Sequence, residues 1–227
     1  MADLDLRPER RNGLVARLRA DLEAAVPGST TSLRGSLATG SADAYSDIDL
    51  CWVVEDAELA RAVSLAQSGA VSGVSTVRVD PDLARSERRR LLFLRLADAP
   101  LFWRVDLDIR SRSVATSEHH DEDNLAARDA TSWSPAASAL ENALAAVRSH
   151  ARGRHEEAGG LLVRGFERIG RELPPGGTPV GSVTDLAHVC ADQDPGLTVM
   201  AAEVAQLAEA LLQQLSPLAD QADGRTA

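Results

Sequence analysis

The sequence contains no lysine, so all 24 basic residues of the 227-residue chain are arginine. A Walker-type phosphate loop requires a lysine, and so does any mechanism that passes through a lysyl adduct, so both are excluded. Acidic residues number 34, which gives a formal net charge of -10. A protein that holds long nucleic acid by neutralising its phosphates needs a basic face. The charge therefore argues against long nucleic acid and favours a small, cationic ligand.

Cysteines and long apolar runs are also scarce. Cys51 and Cys190 are too few and too scattered for a disulfide framework or a zinc site, so we expect two buried, reduced thiols. No apolar run approaches the ~20 residues that span a bilayer, and the first residues lack the apolar core of a signal peptide. These absences predict a cytoplasmic protein with no membrane partner. The hydrophobic fraction of 44% is enough to fill a core.

The most informative stretch is residues 32–54, SLRGSLATGSADAYSDIDLCWVV. Its last part is rich in β-branched and aromatic residues, which predicts a strand over 47–54. The period of two in a strand places Asp47 and Asp49 side by side on one face. Two carboxylates this close repel each other, and a bridging divalent cation such as Mg²⁺ removes that conflict.

A Gly-Ser pair precedes this strand. Gly35 has no Cβ, so a ligand can approach the backbone closely. Ser36 offers a hydroxyl and an N–H at the first turn of a predicted short helix, where phosphates bind. Gly40 suits the left-handed residue that ends such a turn. The pattern indicates a phosphate-binding turn ahead of two metal-binding carboxylates, and its alternative is a surface hairpin with two solvated aspartates.

Gly-Ser, ten residues, and then Ser-Asp-Ile-Asp-Leu opening a strand resembles the signature of the DNA polymerase beta superfamily of nucleotidyltransferases. That resemblance requires a third carboxylate on a neighbouring strand. Residues 100–113, PLFWRVDLDIRSRS, alternate between apolar and mostly charged side chains, which predicts a strand with one charged face. Arg104-Val105-Asp106 resembles the superfamily's Arg-Val-Asp, so Asp106 is the expected third ligand and Asp108, on the same face, is the alternative.

The resemblance implies a reaction and a set of residues. Two Mg²⁺ ions would assist transfer from ATP or another nucleoside triphosphate. The implied catalytic and metal-binding set is Asp47, Asp49 and Asp106. Family members often carry arginine where this chain has Thr39, so contacts to the triphosphate would fall to other arginines or to no side chain. The implied nucleotide-binding set is Gly35, Ser36, Ser46, Arg34 and Arg104.

The first half of the chain has an alternating pattern of helices and strands. It predicts helices over 7–25 and 56–67, strands over 30–33 and 74–79, and a helix from about 82 to 97. That last segment contains a run of arginines, which indicates either a solvated face or a phosphate contact. The run consists of Arg85, Arg88, Arg89, Arg90 and Arg95.

The second half has a helical pattern of apolar residues. We expect an interruption at Gly159-Gly160, a loop over 173–181, a capping box of Ser182 with Asp185, and a last helix opened by Asp194-Pro195. Residues 118–123, EHHDED, either bind a metal or, more simply, form a hydrated loop. The predicted division is a nucleotidyltransferase domain over 1–112, a connection over 113–134, a helical domain over 135–219 and a frayed tail over 220–227.

We therefore expect an α+β protein in which a small mixed-sheet nucleotidyltransferase domain is followed by an all-helical bundle domain, with the active site in the cleft between them. This arrangement is similar to that of the aminoglycoside and lincosamide nucleotidyltransferases. The similarity implies transfer of AMP from ATP to a hydroxyl of a small, cationic, antibiotic-like acceptor. The alternatives are a protein or tRNA acceptor, as in toxin-antitoxin members of the superfamily, and a degenerate domain that binds nucleotide without turnover. The sequence is also compatible with a homodimer.

Overall fold

The computed structural model describes residues 4–68, 73–117 and 133–215. The chain forms two compact units, a sheet unit within residues 3–133 and a helical unit from residue 134 onward. The combination of a mixed sheet with separate helices confirms the expected α+β class. Within the described ranges, no helix is long and apolar enough to cross a membrane.

The sheet unit contains five strands and three α-helices in its described part. In chain order they are α1 Pro8–Ala25, β1 Thr30–Leu33, α2 Gly35–Thr39, β2 Ile48–Val54, α3 Leu59–Gln67, β3 Val74–Val79, β4 Arg89–Leu96 and β5 Val105–Ser111. Short 3-10 turns precede α3, precede β4 and follow β5. The predicted helix α1, strands β1, β2 and β3, and helix α3 are confirmed to within three residues.

The strands lie in the order β1-β2-β5-β4-β3, so β5 is central. Strands β2 and β5 are parallel, and every other neighbouring pair is antiparallel. Residues that lie opposite each other in the register share a face, because side chains alternate along each strand. One face is apolar and contributes residues such as Leu50, Trp52 and Leu107 to the core. The other face contains both aspartates of β5, and we call it the polar face.

The prediction of a helix from about 82 to 97 is wrong. The structure has a 3-10 turn over Pro81–Leu83 and then strand β4, which pairs with β3 on one side and β5 on the other. Alternate residues Leu92 and Leu94 are fully buried. Backbone pairing on both edges and burial at a period of two therefore outweigh the helical spacing of the arginines.

The described part of the helical unit consists of four helices. They are α4 Pro135–Ala151, α5 His155–Arg168, α6 Pro179–Gln193 and α7 Thr198–Leu215. Their apolar faces form a core, whose fully buried members include Leu140, Leu144, Val147, Leu186, Cys190 and Val204. A Cβ added at Gly165 would lie 2.6 Å from Cδ2 of Leu186, so glycine permits the close approach of α5 to α6.

Two predicted boundaries in this unit are wrong. Helix α5 continues through Gly159-Gly160, and the chain turns instead at Gly153, whose φ of 74° suits glycine. Helix α6 begins before Ser182, because the Thr178 side chain accepts a hydrogen bond from the Gly181 N–H and caps it. The acidic run 118–123 and the tail 220–227 lie outside the described residues.

The two thiols match their prediction. Cys51 in β2 and Cys190 in α6 are both buried and free. Burial raises the pKa of Cys190 to about 11 and also raises the pKa of Cys51. Neither thiol is therefore an activated nucleophile at neutral pH.

Candidate active site

The Gly-Ser turn lies directly against Asp49. Strand β1 ends at Leu33, and the backbone N–H of Arg34 donates a 2.8 Å hydrogen bond to the carbonyl of Asp49. Gly35 follows with a φ of 54° and starts helix α2. A Cβ at this position would overlap Oδ2 of Asp49 and lie 3.0 Å from its Cγ. Only glycine readily adopts this positive φ and also leaves room for the carboxylate. The glycine therefore allows the turn to lie in close contact with Asp49.

Helix α2 ends as the sequence predicts. Gly40 has a φ of 70°, and its N–H bonds to the carbonyl of Ser36. The N–H of Ser41 donates to the same carbonyl at 3.0 Å. This left-handed cap satisfies the end of the helix and directs the chain back toward β2. Ser36 itself is half-buried in the first turn.

The turn before β2 is held by Ser46, which belongs to the predicted nucleotide-binding set, and by three residues that the sequence analysis did not single out. The hydroxyl of Ser46 donates to Oδ1 of Asp43 at 2.9 Å and accepts the Asp43 N–H at 3.0 Å. Arg11, which is buried, donates to the carbonyls of Asp43 and Ser46 at 2.5 and 3.3 Å. The indole N–H of Trp103 donates to the carbonyl of Ala44 at 3.0 Å. Ser46 is thus placed in the turn that positions the aspartates, where its hydroxyl is bonded to Asp43.

Arg11 and Trp103 also contact each other. The Arg11 guanidinium carbon lies 5.9 Å from the centre of the Trp103 ring. Burial lowers the pKa of Arg11, and the charge of Asp43 opposes that shift. The polar residues that precede β2 do not by themselves indicate that helix α1 will contact this turn. The only signal was Arg11 at a core-facing position of α1, among Leu14, Val15 and Leu18.

The two predicted carboxylates on neighbouring strands face each other. Asp49 of β2 lies directly opposite Asp106 of β5 in the parallel register. The N–H of Ile48 donates to the carbonyl of Arg104 at 2.8 Å and extends this pairing toward the start of both strands. Asp47 lies just before β2, two residues from Asp49, and all three aspartates are half-buried. The fold therefore brings the backbone positions of the predicted set to one end of the sheet.

Arg104 binds the carboxylate of Asp106. Its Nε donates to Oδ1 at 2.6 Å and its Nη2 donates to Oδ2 at 2.8 Å, which is a bidentate pair. The same guanidinium lies over the ring of Phe93 at 4.8 Å. Arg104 therefore neutralises one of the two facing carboxylates, and the ring of Phe93 supports it from β4.

Asp108, the alternative third ligand, has a different environment. Arg89 binds it through two hydrogen bonds of 2.6 and 3.0 Å, and Arg110 donates to it from Nε at 2.9 Å. Its exposed fraction is 8%, and that of Arg110 is 5%. Arg110 also donates to the carbonyls of Ala115 and Ser117 at 3.2 and 3.1 Å. A buried carboxylate bound by two guanidinium groups holds the chain after β5 in place and leaves little room for a cation ligand.

Arg34, the residue before the Gly-Ser turn, is exposed. In the neighbouring strand β2, burial raises the pKa of Cys51, and the charge of Asp108 raises it further. The charges of Arg110 and Arg34 oppose that rise.

The chemistry of the facing aspartates suits a hard divalent cation. Carboxylate oxygens are the ligands that Mg²⁺ prefers, and the guanidinium of Arg104 occupies a cation's place on Asp106. Within residues 4–68, 73–117 and 133–215, however, no three His, Cys, Asp or Glu side chains are gathered closely enough to hold a metal ion as they stand. Asp49 and Asp106 therefore have the donor type and the facing positions that such a cation requires, but no third carboxylate of the described residues is gathered with them in this conformation.

Comparisons with known proteins add little to this geometry. No protein-family model and no curated protein matches the chain. Among solved structures, the chain is similar to the structure of the GLD-2/RNP-8 complex, with 21% identity and a TM-score of 0.37. The similarity covers 50% of this chain and 35% of that chain. A similarity of this extent assigns neither a family nor an activity, so the site itself must support any proposal.

Proposed function

We propose that the protein is a nucleotidyltransferase that moves a nucleoside monophosphate, AMP from ATP, to a hydroxyl group of a small acceptor. The single observation that supports this most strongly is the fit of Gly35 against Asp49, because a side chain at position 35 would displace that carboxylate. A glycine held against a carboxylate, with a second carboxylate opposite, is suited to a ligand that brings phosphate and metal together.

In this proposal Asp47, Asp49 and Asp106 are the catalytic residues and would hold Mg²⁺. When bound, Mg²⁺ would neutralise charge on the phosphates and align them for in-line displacement, after which pyrophosphate leaves. Gly35 and Ser36 would let the nucleotide approach the backbone next to Asp49. The guanidinium of Arg104 would have to leave Asp106, at least in part, for that carboxylate to bind a cation.

A second candidate function is nucleotide binding without turnover. The bidentate pair of Arg104 with Asp106 favours it, because a carboxylate that stays neutralised cannot serve as a metal ligand. Under the first candidate, Asp106 is needed for transfer. Under the second, no transfer occurs and Asp106 only balances the charge of Arg104.

The test of the proposal is the substitution Asp49→Asn, with Asp47→Asn beside it. Each variant is incubated with labelled ATP, Mg²⁺ and a panel of neutral, cationic and phosphorylated hydroxyl compounds. We expect both variants to lose transfer while their melting temperatures stay unchanged or rise slightly, because each change removes a repelling charge from the metal-free site. Asp185→Asn, an exposed position on α6, is the control and should transfer normally.

Melting temperature gives a second measurement that needs no acceptor. Mg²⁺ with ATP should raise the melting temperature of the wild-type protein, since a ligand that binds only the folded state stabilises it. Transfer by Asp49→Asn at a rate near that of the wild type would contradict the assignment. A melting shift without transfer to any acceptor would favour the second candidate, and no shift at millimolar Mg²⁺-ATP would remove both.

A further inference from the structure

A row of functional side chains crosses four strands of the polar face. The register places Asp49 of β2 opposite Asp106 of β5, Asp106 opposite Phe93 of β4, and Phe93 opposite Arg78 of β3. The Gly-Ser turn, with Gly35 against Asp49, stands at the β2 end of this row. The row therefore leads from the proposed nucleotide side, across the two carboxylates, to an aromatic ring and an arginine.

Two guanidinium groups lie over the ring of Phe93. The guanidinium carbon of Arg78 is 4.6 Å from the ring centre, and that of Arg104 is 4.8 Å from it. All three residues are half-buried. Contact with an aromatic ring attracts a guanidinium and restricts its side chain, so less freedom is lost when it later binds an anion. The end of the row beyond Asp106 therefore presents guanidinium groups whose side chains are restricted by an aromatic ring.

The in-line geometry of the reaction indicates which substrate binds at this end of the row. This step rests on the proposed function. In phosphoryl transfer the attacking and leaving oxygens lie roughly in line on opposite sides of the phosphorus. With the nucleotide on the Gly35 side of Asp49, the attacking hydroxyl approaches from the side of β5 and β4. The acceptor would then lie over Phe93 and Arg78.

The charges on this side do not suit a cation. Asp108 is bound by both Arg89 and Arg110, and Asp106 is bound by Arg104. The expectation of a cationic acceptor rested on the net negative charge of the whole chain. Instead, among the described residues of β3, β4 and β5, the polar face has more arginines than aspartates, although the whole chain has a net charge of -10.

We propose that the acceptor is a hydroxyl compound that also bears a phosphate, and that Arg78, supported by Phe93, binds this phosphate. Arg78 is then a residue that determines acceptor specificity. Guanidinium groups recognise phosphate through paired, charge-assisted hydrogen bonds. The phosphate can belong to a free phosphorylated compound or to the end of a nucleic acid strand, and the acidic chain as a whole favours the former.

The test measures binding by titration calorimetry in the presence of Mg²⁺ and a saturating ATP analogue with a methylene bridge between the α and β phosphates. The paired probes are ribose 5-phosphate against ribose, and a hexaribonucleotide against adenosine. The variants are Arg78→Gln, Arg78→Lys and the control Arg61→Gln, an exposed arginine of α3. We expect the phosphorylated member of at least one pair to bind, about 10-fold more weakly to Arg78→Gln and unchanged to Arg61→Gln. Arg78→Lys should lie between them.

Each outcome decides the question. Arg78-dependent binding of ribose 5-phosphate identifies a free phosphorylated compound, and Arg78-dependent binding of the hexaribonucleotide identifies a strand end. The inference is overturned if neither phosphorylated probe binds, if ribose and adenosine bind as well as their phosphorylated partners, or if Arg78→Gln binds both phosphorylated probes as well as the wild type. Failure of the ATP analogue itself to bind would overturn the proposed function and this inference with it. Arg78→Met replaces Arg78→Gln if the latter does not fold, as judged by its melting curve.

Discussion

The two units of the protein differ in what they bury. Among the described residues, the sheet unit buries the charged side chains Arg11, Asp108 and Arg110, whereas the polar side chains buried in the helical unit are serines. These serines are Ser138, Ser149 and Ser182. Burial of a charge is costly unless a partner compensates it. Among the described residues, the helical unit therefore buries no charged residue as a whole, whereas the sheet unit buries three.

This difference is concentrated around the candidate active site. Arg11 holds the turn before β2, and Arg110 with Asp108 holds the chain after β5. Both buried arginines thus bind backbone next to a strand that carries a candidate catalytic aspartate. The comparison teaches that the sheet unit uses buried charged side chains to hold segments that apolar packing alone would leave less defined.

The largest test of this view compares two aspartates on one strand. Asp108→Asn should lower the free energy of unfolding by about 3–5 kcal/mol, because it leaves Arg89 and Arg110 without their shared carboxylate in a buried place. Asp106→Asn should cost less, about 1–3 kcal/mol, because it leaves one guanidinium group without its partner where Asp108→Asn leaves two, and because the Asp106 side chain is more exposed than that of Asp108. The same change should abolish transfer. Urea unfolding and the labelled-ATP assay measure the two effects. Equal loss of stability in both variants would remove the distinction between a structural and a catalytic carboxylate.

The second test compares a glycine from each unit. Gly35→Ala should cost about 1–2 kcal/mol for its left-handed backbone alone, plus the displacement of Asp49, and transfer should fall sharply. Gly159→Ala lies inside helix α5 with open space around its Cβ, so it should stabilise the protein by about 0.5–1 kcal/mol. Unfolding curves of both variants give the answer. A stable, active Gly35→Ala protein would contradict the proposed close approach.

The smallest test concerns the pair of histidines where α4 meets α5. Nδ1 of His150 lies 3.1 Å from Nδ1 of His155, and burial, followed by the charge of His155, lowers the pKa of His150. The unfolded chain then binds a proton more readily, so stability should fall as the pH drops below the ordinary value near 6.5. We expect His150→Gln to remove a loss in melting temperature of no more than about 2 °C between pH 7 and pH 5. An identical pH profile in the variant would show that this pair is not linked to folding.

Local chemistry explains which parts of the fold the sequence could predict. Gly35 and Gly40 have conformations that few other residues adopt, and β2 is rich in β-branched and aromatic residues. By contrast, β4 forms because neighbours on both sides pair with it. The strands that pair with β4 are distant from it along the chain or are formed by other segments, so a local pattern does not reveal them. The spacing of the arginines, taken alone, favours a helix.

The same distinction applies to the candidate site. The facing positions of Asp49 and Asp106 follow from two recognisable segments and one parallel pairing. The partners of the carboxylates do not, because Arg89 reaches Asp108 only through the register of β4 with β5. The charge of the polar face therefore could not be deduced by counting aspartates in β2 and β5.

The two outer strands of the sheet bear on how the protein behaves at high concentration. An outer strand presents unpaired backbone groups to which another chain can add. Strand β1 has only four residues, and β3 has an irregular register between Val74 and Thr76 and contains Arg78. Short length, irregularity and charge each make an edge a poor template. Among the described strands, the geometry of this sheet thus works against intermolecular strand addition and aggregation.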